Sequence, residues 1–158
     1  MKPLLLTLLL LLLVLPAAGQ EVRVYKGTSR YGSDVICTVR KGTVYKGRSA
    51  YLSDILCHVD GDALYRGRSS YRSDILLNIR GNRVYEGTSS YRSDLLWTWR
   101  DERLYRGGST YTSDVLATVR DKKVYRGVSS YSSDILFSYD GELSLAELIA
   151  VWYVSIFE

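Results

Sequence analysis

A motif that recurs every 20 residues organises most of this 158-residue chain. In each copy a tyrosine, a glycine, a serine and a second tyrosine stand at alternate positions, and a Ser-Asp pair follows. The first copy contains Tyr25, Gly27, Ser29, Tyr31 and Ser33-Asp34. Six copies span Val24 to Leu143 without an insertion. Such regular repetition indicates units that bury their apolar surfaces against neighbouring copies.

Each copy predicts a β-hairpin. The alternation of fixed and variable residues indicates extended chain, with the tyrosine side packed and the basic side, which includes Lys26, facing water. The branched run from Val35 to Val39 predicts a second strand. Links such as Gly61-Asp62 suit two-residue type II′ turns, and this turn register places Ile79 opposite Val84 across the hairpin.

Two architectures can pack such hairpins, because both of their faces carry apolar residues. One is a closed ring, in which the first strand (Val22 to Lys26) pairs with the last (Ile135 to Tyr139). The other is an open solenoid, which would stack the repeat aspartates in a ladder about 5 Å apart. That repulsion favours the ring. We therefore predict an all-β fold of six 20-residue β-hairpin repeats in a closed propeller-like ring, with an open β-solenoid as the alternative.

The layout from Val24 to Leu143 resembles that of bacterial secreted short-hairpin repeat proteins of the β-flower type, which are built around a pseudo-symmetry axis. The resemblance lies in repeat length and strand pattern. It implies a ring of hairpins. It does not imply four-fold closure, because the tyrosine motif here differs from the signature of those domains, and it does not supply a function.

Residues 1–19 have the pattern of a signal peptide. Lys2 precedes the apolar run from Leu4 to Leu15, and Ala17 and Gly19 supply the small residues of a cleavage site. We therefore expect a secreted or periplasmic protein with no transmembrane anchor after cleavage, in which residues 20–143 form the repeat domain.

Residues 144–158 predict a C-terminal α-helix. Ser144 and Glu147 form a capping box, and the residues that follow are apolar nearly all round the helix. This segment is too short to span a bilayer. We expect it to cap one end of the β-array, and docking to a partner or to a membrane surface is the alternative.

The composition argues against an enzyme. One histidine and two cysteines cannot build most metal sites, and we expect no metal and no cofactor. Six equivalent aspartates offer nothing that separates an acid from a base. We expect each Ser-Asp pair to fix a turn by hydrogen bonds to nearby backbone N–H groups, and a calcium or sugar site in each copy is the rival interpretation. The aspartates are Asp34, Asp54, Asp74, Asp94, Asp114 and Asp134.

Two sets of residues are candidates for ligand binding. The twelve repeat tyrosines, two in each copy, could be packed in a shared core or exposed as stacking platforms for sugars. The candidates for binding are the second tyrosines, Tyr31, Tyr51, Tyr71, Tyr91, Tyr111 and Tyr131. The second set is basic and comprises Arg48, Arg68, Arg72 and Arg92. Between residues 20 and 143 the chain has 20 basic and 15 acidic side chains, a balance that could attract an acidic polysaccharide.

These features predict a non-catalytic module that binds glycan or another envelope polyanion. A purely structural or assembly role without a small-molecule ligand is the alternative. We do not expect nucleic acid as a partner, since no base-reading motif is present.

The two cysteines occupy one column of the repeat. Cys37 and Cys57 stand where the other copies have leucine, tryptophan, alanine and phenylalanine, so burial is expected. In an exported protein, equivalent positions of adjacent copies could also form a disulfide. Two buried thiols and one disulfide both remain open.

Overall fold

A computed structural model describes residues 20–157 as a closed antiparallel β-barrel that surrounds one α-helix. The predicted signal peptide lies outside the described residues. Within these residues there are 12 strands: β1 Val22–Lys26, β2 Val35–Arg40, β3 Thr43–Lys46, β4 Ile55–Asp60, β5 Ala63–Arg66, β6 Ile75–Arg80, β7 Arg83–Glu86, β8 Leu95–Arg100, β9 Arg103–Arg106, β10 Val115–Arg120, β11 Lys123–Arg126 and β12 Ile135–Tyr139. Each strand pairs with its sequence neighbours, and β1 pairs with β12. The predicted ring closure is therefore confirmed, and the open solenoid is wrong.

The two ends of the barrel differ. At one end, which we call the turn end, two-residue turns such as Gly61-Asp62 join the even strands to the odd strands. At the other, the loop end, eight-residue loops such as 27–34 join each odd strand to the next even strand. The predicted register is confirmed, since Ile79 lies opposite Val84. The φ angle is positive at Gly61, as the first position of a type II′ turn requires.

A β-bulge begins each long strand. Val24 pairs with Cys37 but Tyr25 pairs with Val35, so Ile36 is the extra residue on its strand. The same irregularity recurs at the five equivalent positions. One extra residue reverses the faces of the residues on either side of it. Val35 therefore lies on the outer face beside Tyr25, while Cys37 lies on the inner face.

Helix α1, Leu145–Phe157, runs through the lumen. Residues 148–152 are all buried, and five consecutive residues cover every side of a helix with 3.6 residues per turn. Leu148, Ile149 and Trp152 face Val124 and Phe137 of the barrel wall. Eight strands leave a lumen just wide enough for side chains, so 12 strands leave room for a helix.

The ends of α1 coincide with the ends of the barrel. Its 13 residues rise about 20 Å, close to the length of a six-residue strand. Ser144 and Glu147 form the predicted capping box, and Glu147 Oε1 accepts a hydrogen bond of 3.2 Å from Gly42 N at the turn end. Val154 and Ser155 reach Ile36 at the loop end. The helix therefore fills the barrel, whereas the sequence predicted a cap over one end. No helix formed by residues 20–157 has the length and apolar character needed to cross a bilayer.

The predicted faces of the first strands are right in part: Tyr25 is packed and Lys26 is exposed, but the face that carries Lys26 is the one that lines the lumen. Val24 is fully buried in the lumen, and Lys26 shares that inner face at the loop end. Tyr25 lies on the outer face, although it too is buried. The aliphatic column faces the dry lumen because it has no polar atom to satisfy, whereas the outer face lets the tyrosine hydroxyl find a partner.

Candidate functional site

A serine–aspartate hydrogen bond closes each of the six loops at the loop end. In the first loop, Ser29 Oγ donates to Asp34 Oδ2 at 2.5 Å and accepts from Tyr31 N at 3.2 Å. Asp34 N donates to Tyr31 O at 3.0 Å and starts the 3-10 turn Gly32–Asp34. We call this arrangement the clasp. It recurs as Ser49–Asp54, Ser69–Asp74, Ser89–Asp94, Ser109–Asp114 and Ser129–Asp134.

The clasp shows what the repeat aspartates do. The repeat aspartates close the loops, as predicted, but the predicted hydrogen bonds from backbone N–H groups are wrong, because the donor is the hydroxyl of the serine five residues earlier. In the fourth loop Ser93 Oγ also donates to Asp94 Oδ1, at 2.9 Å. The hydroxyl of Ser89, followed by that of Ser93, holds the pKa of Asp94 below its ordinary value. Nowhere in residues 20–157 do three or more histidine, cysteine or acidic side chains gather as a metal site.

The two tyrosine columns have opposite environments. The first tyrosines lie on the outer face and several lie beneath a guanidinium, as Arg100 lies 4.7 Å from the ring centre of Tyr105. The second tyrosines, the predicted stacking platforms, are 73% to 77% exposed on the loops. The interpretation that both columns are packed is therefore right for the first column and wrong for the second. The clasp holds the backbone beneath each exposed ring.

A pocket of about 310 Å³ lies between the fourth and fifth loops. Arg83, Tyr85, Ser90, Arg92, Leu95 and Gly108 line it. Among the described residues, neither guanidinium has an ion-pair partner. An arginine pair beside an aromatic ring can bind a carboxylate, sulfate or phosphate group.

A glycine keeps this pocket open. Gly108 stands in the column that holds Arg48 and Arg68 in the second and third copies. Between the first and second loops, Arg48 lies against Gly32. A Cβ added to Gly32 would come within 2.7 Å of a guanidinium nitrogen of Arg48. The side chain at this position therefore reaches the preceding loop, and its absence at Gly108 leaves room for a ligand.

The structure brings only part of the predicted set together. Arg48, Arg68, Arg72 and Arg92 are all exposed on the loops, but only Arg92 lines the two-arginine pocket. Tyr91 lines a separate, open groove with Glu86 and Ser89. Sequence reasoning missed Arg83, because its column was not assigned to the outer face beside Tyr85. The strand register would have supplied that signal.

The cysteines are two buried thiols, which is one of the two alternatives left open by the sequence. The disulfide is not formed. Strand β3 separates β2, which carries Cys37, from β4, which carries Cys57. Two strand spacings amount to about 10 Å, beyond the Cα separation that a disulfide allows. Burial, together with the nearby Cys57, raises the pKa of Cys37 to about 12.

Comparison with known protein families identifies a family for this chain. Residues 44–151 match the model of a family described as 6-fold beta flower protein. The resemblance to β-flower domains is thereby confirmed. No curated protein and no solved structure matches the chain.

Proposed function

This chain belongs to the 6-fold beta flower protein family, and we propose that it is an exported, non-catalytic module that binds acidic glycan or another envelope polyanion. The observation that carries the proposal is the two-arginine pocket. Arg83, Arg92 and Tyr85 line this pocket together, in a volume of about 310 Å³. This volume is at the lower end of the range for small-molecule sites and suits one or two sugar units.

Recurrence of the loops supports binding to a polymer. The six hairpin repeats would act as equivalent blades around the helix, in a propeller-like arrangement. Each blade presents an exposed tyrosine on a clasped loop, and a polymer that touches several blades gains avidity without new contacts. Because the clasps already hold the loops, little conformational entropy is lost on binding.

A non-catalytic role agrees with the state of the candidate acids and bases. The six repeat aspartates are engaged in clasps. His58 is held by its Nδ1, 2.9 Å from Gly67 O, and its ring stacks on Tyr65 at 5.2 Å. Export is the part of the proposal that rests on residues 1–19.

Binding to immobilised polygalacturonate, with neutral dextran as the reference polymer, tests the proposal. We expect retention at low ionic strength that decreases as salt is added. The double variant R83Q/R92Q should weaken retention by about tenfold or more, because two charge-assisted hydrogen bonds are lost. The control K26Q/K41Q removes the same charge from two exposed lysines that do not line the pocket, and it should change retention less than threefold.

Two results would contradict the role of this pocket in polyanion binding. If the protein binds no acidic polysaccharide in a broad panel at low ionic strength, the proposal is wrong, and the structural or assembly role is then favoured. If R83Q/R92Q and the control weaken binding equally, net charge rather than the pocket carries the interaction.

A further inference from the structure

The loop end of the barrel carries a ring of charged side chains. The last residue of each odd strand lies opposite a buried, lumen-facing residue, as Lys46 lies opposite Cys37 and Arg106 opposite Trp97. Directly opposed residues of an antiparallel pair share a face, so these side chains rim the lumen. They are Lys26, Lys46, Arg66, Glu86, Arg106 and Arg126, and all six are exposed. We call this ring the basic mouth.

The five cations of the basic mouth are not neutralised by the rest of the barrel. Within residues 20–157, none of them takes part in an ion pair. Glu86 is the single acidic member of the ring. The carbonyl end of α1 lies inside the ring and contributes about half a negative charge. The loop end as a whole carries ten basic side chains, five on the rim and five on the loops, against seven acidic ones, which are Glu86 and the six clasp aspartates. The balance of side-chain charge around the opening is therefore positive.

The centre of the basic mouth is apolar. Ile156 and Phe157, in the last turn of α1, are 48% and 62% exposed. Phe157 lies beside Leu56 and Arg66 in a pocket of about 280 Å³. The six bulge residues, Ile36, Leu56, Leu76, Leu96, Leu116 and Leu136, are only partly buried around it. An apolar tip thus stands within a circle of cations.

We propose that the basic mouth docks on the surface of an anionic phospholipid membrane. Cations that rim one end of a barrel can approach a flat, negatively charged surface together, and each basic residue strengthens such binding. Ile156 and Phe157 would enter the boundary between headgroups and acyl chains, as apolar residues of interfacial helices do. Charge complementarity selects anionic over neutral lipid, and the apolar tip selects a lipid surface over a soluble polyanion. This site is distinct from the two-arginine pocket on the outer face.

Cosedimentation with vesicles tests this inference. The protein is recovered from the envelope fraction, its N-terminus is verified by mass spectrometry, and it is mixed with phosphatidylcholine vesicles with or without 30 mol% phosphatidylglycerol. We expect binding only when phosphatidylglycerol is present. The variant R66Q/R106Q/R126Q should weaken that binding by about 100-fold. The control K41Q/R80Q/K123Q removes three charges at the turn end and should change it less than threefold.

A second variant separates lipid from other anions. F157S should weaken vesicle binding by about tenfold and leave retention on polygalacturonate unchanged, and R83Q/R92Q should have the reverse pattern. Equal binding to both kinds of vesicle, or equal loss in the two triple variants, would overturn the proposal. Full binding by F157S would also overturn it, since a soluble polyanion would then fit as well. Urea unfolding of each variant checks that the barrel is intact.

Discussion

Replacing one residue of the lumen helix should destabilise the entire barrel. Ile149 is 1% exposed at the middle of α1, and Ile156, on the same helix, is 48% exposed at its end. Changing a buried isoleucine to alanine costs about 2–5 kcal/mol, and the cost rises when the surroundings cannot collapse into the cavity. The wall here is a closed, hydrogen-bonded barrel, so we expect I149A to cost about 4 kcal/mol. The matched control I156A should cost less than about 1 kcal/mol.

Urea unfolding measures this difference. The fluorescence of Trp97 and Trp152, whose rings meet edge to face at 6.5 Å in the lumen, reports on the packing, and circular dichroism reports on the strands. With a slope near 2 kcal/mol per molar urea, I149A should lower the midpoint by about 2 M. Both signals should change in one transition, because the barrel has no core without the helix. If I149A and I156A shift the midpoint equally, the helix does not fill the lumen.

Two further predictions concern the clasp and the thiols. S89A should raise the pKa of Asp94, measured by NMR titration, whereas the control S90A should leave it unchanged. If the pKa of Asp94 is the same in S89A as in the unmodified protein, the clasp does not lower it. Because the folded-state pKa of Asp94 is lowered, the stability that this clasp supplies is present above the ordinary carboxyl pKa and is lost as the pH falls through the lowered value. Cys37 and Cys57 should resist a thiol reagent at pH 8 in the native protein, since the pKa of Cys37 is about 12, and both should react after denaturation. If neither cysteine is labelled in denaturant, the two cysteines form a disulfide and the assignment as thiols is wrong.

The repeat pattern predicted what depends on local alternation. Turn residues and apolar pairs set the hairpin register, so Ile79 and Val84 could be placed opposite each other from sequence alone. Ring closure also followed, from the repulsion that a ladder of six aspartates would create. The turn-fixing role of the loop aspartates was predicted for a similar reason, since a short polar side chain at the start of a strand has backbone groups within reach. The partner was not predicted, because the serine hydroxyl five residues earlier comes within reach only when the loop has folded.

Which face points inward did not follow from alternation. Period two defines two faces, but it does not say which of them is the core. In the first strand both Val24 and Tyr25 are buried, so hydrophobicity does not separate the faces. The bulge at Ile36 then shifts the pattern by one residue within the repeat. Alternation therefore predicted that Lys26 is exposed, which is correct, but it did not show that the face of Lys26 lines the lumen or that Arg83 lies on the outer face.

The position of the helix depends on the width of the lumen, which neither alternation nor helix propensity gives. Apolar residues all round α1 indicate burial on every side, which a lid over one end cannot provide. Only the number of strands in the closed sheet shows that the lumen is wide enough to contain it. Six repeats of two strands each, closed in a ring, make a 12-stranded barrel, and that strand number sets the width of the lumen.

The closing seam between β1 and β12 gives a final prediction, because it is the one strand pair in the ring with no turn or loop to join it. Asp140 holds it instead: Oδ1 accepts from Arg23 N at 2.8 Å and Oδ2 from Tyr25 Oη at 3.1 Å. Losing two hydrogen bonds to a charged acceptor should cost D140A about 2 kcal/mol.

Asp60 provides the matched control, since it occupies the same repeat position as Asp140 beside a covalent turn. D60A should cost less than about 0.5 kcal/mol. Because closure makes the chain ends of the barrel depend on each other, D140A should lower the urea midpoint of the whole cooperative transition. A D140A protein that unfolds at the same midpoint as D60A would show that the side chain of Asp140 does not hold the ring closed.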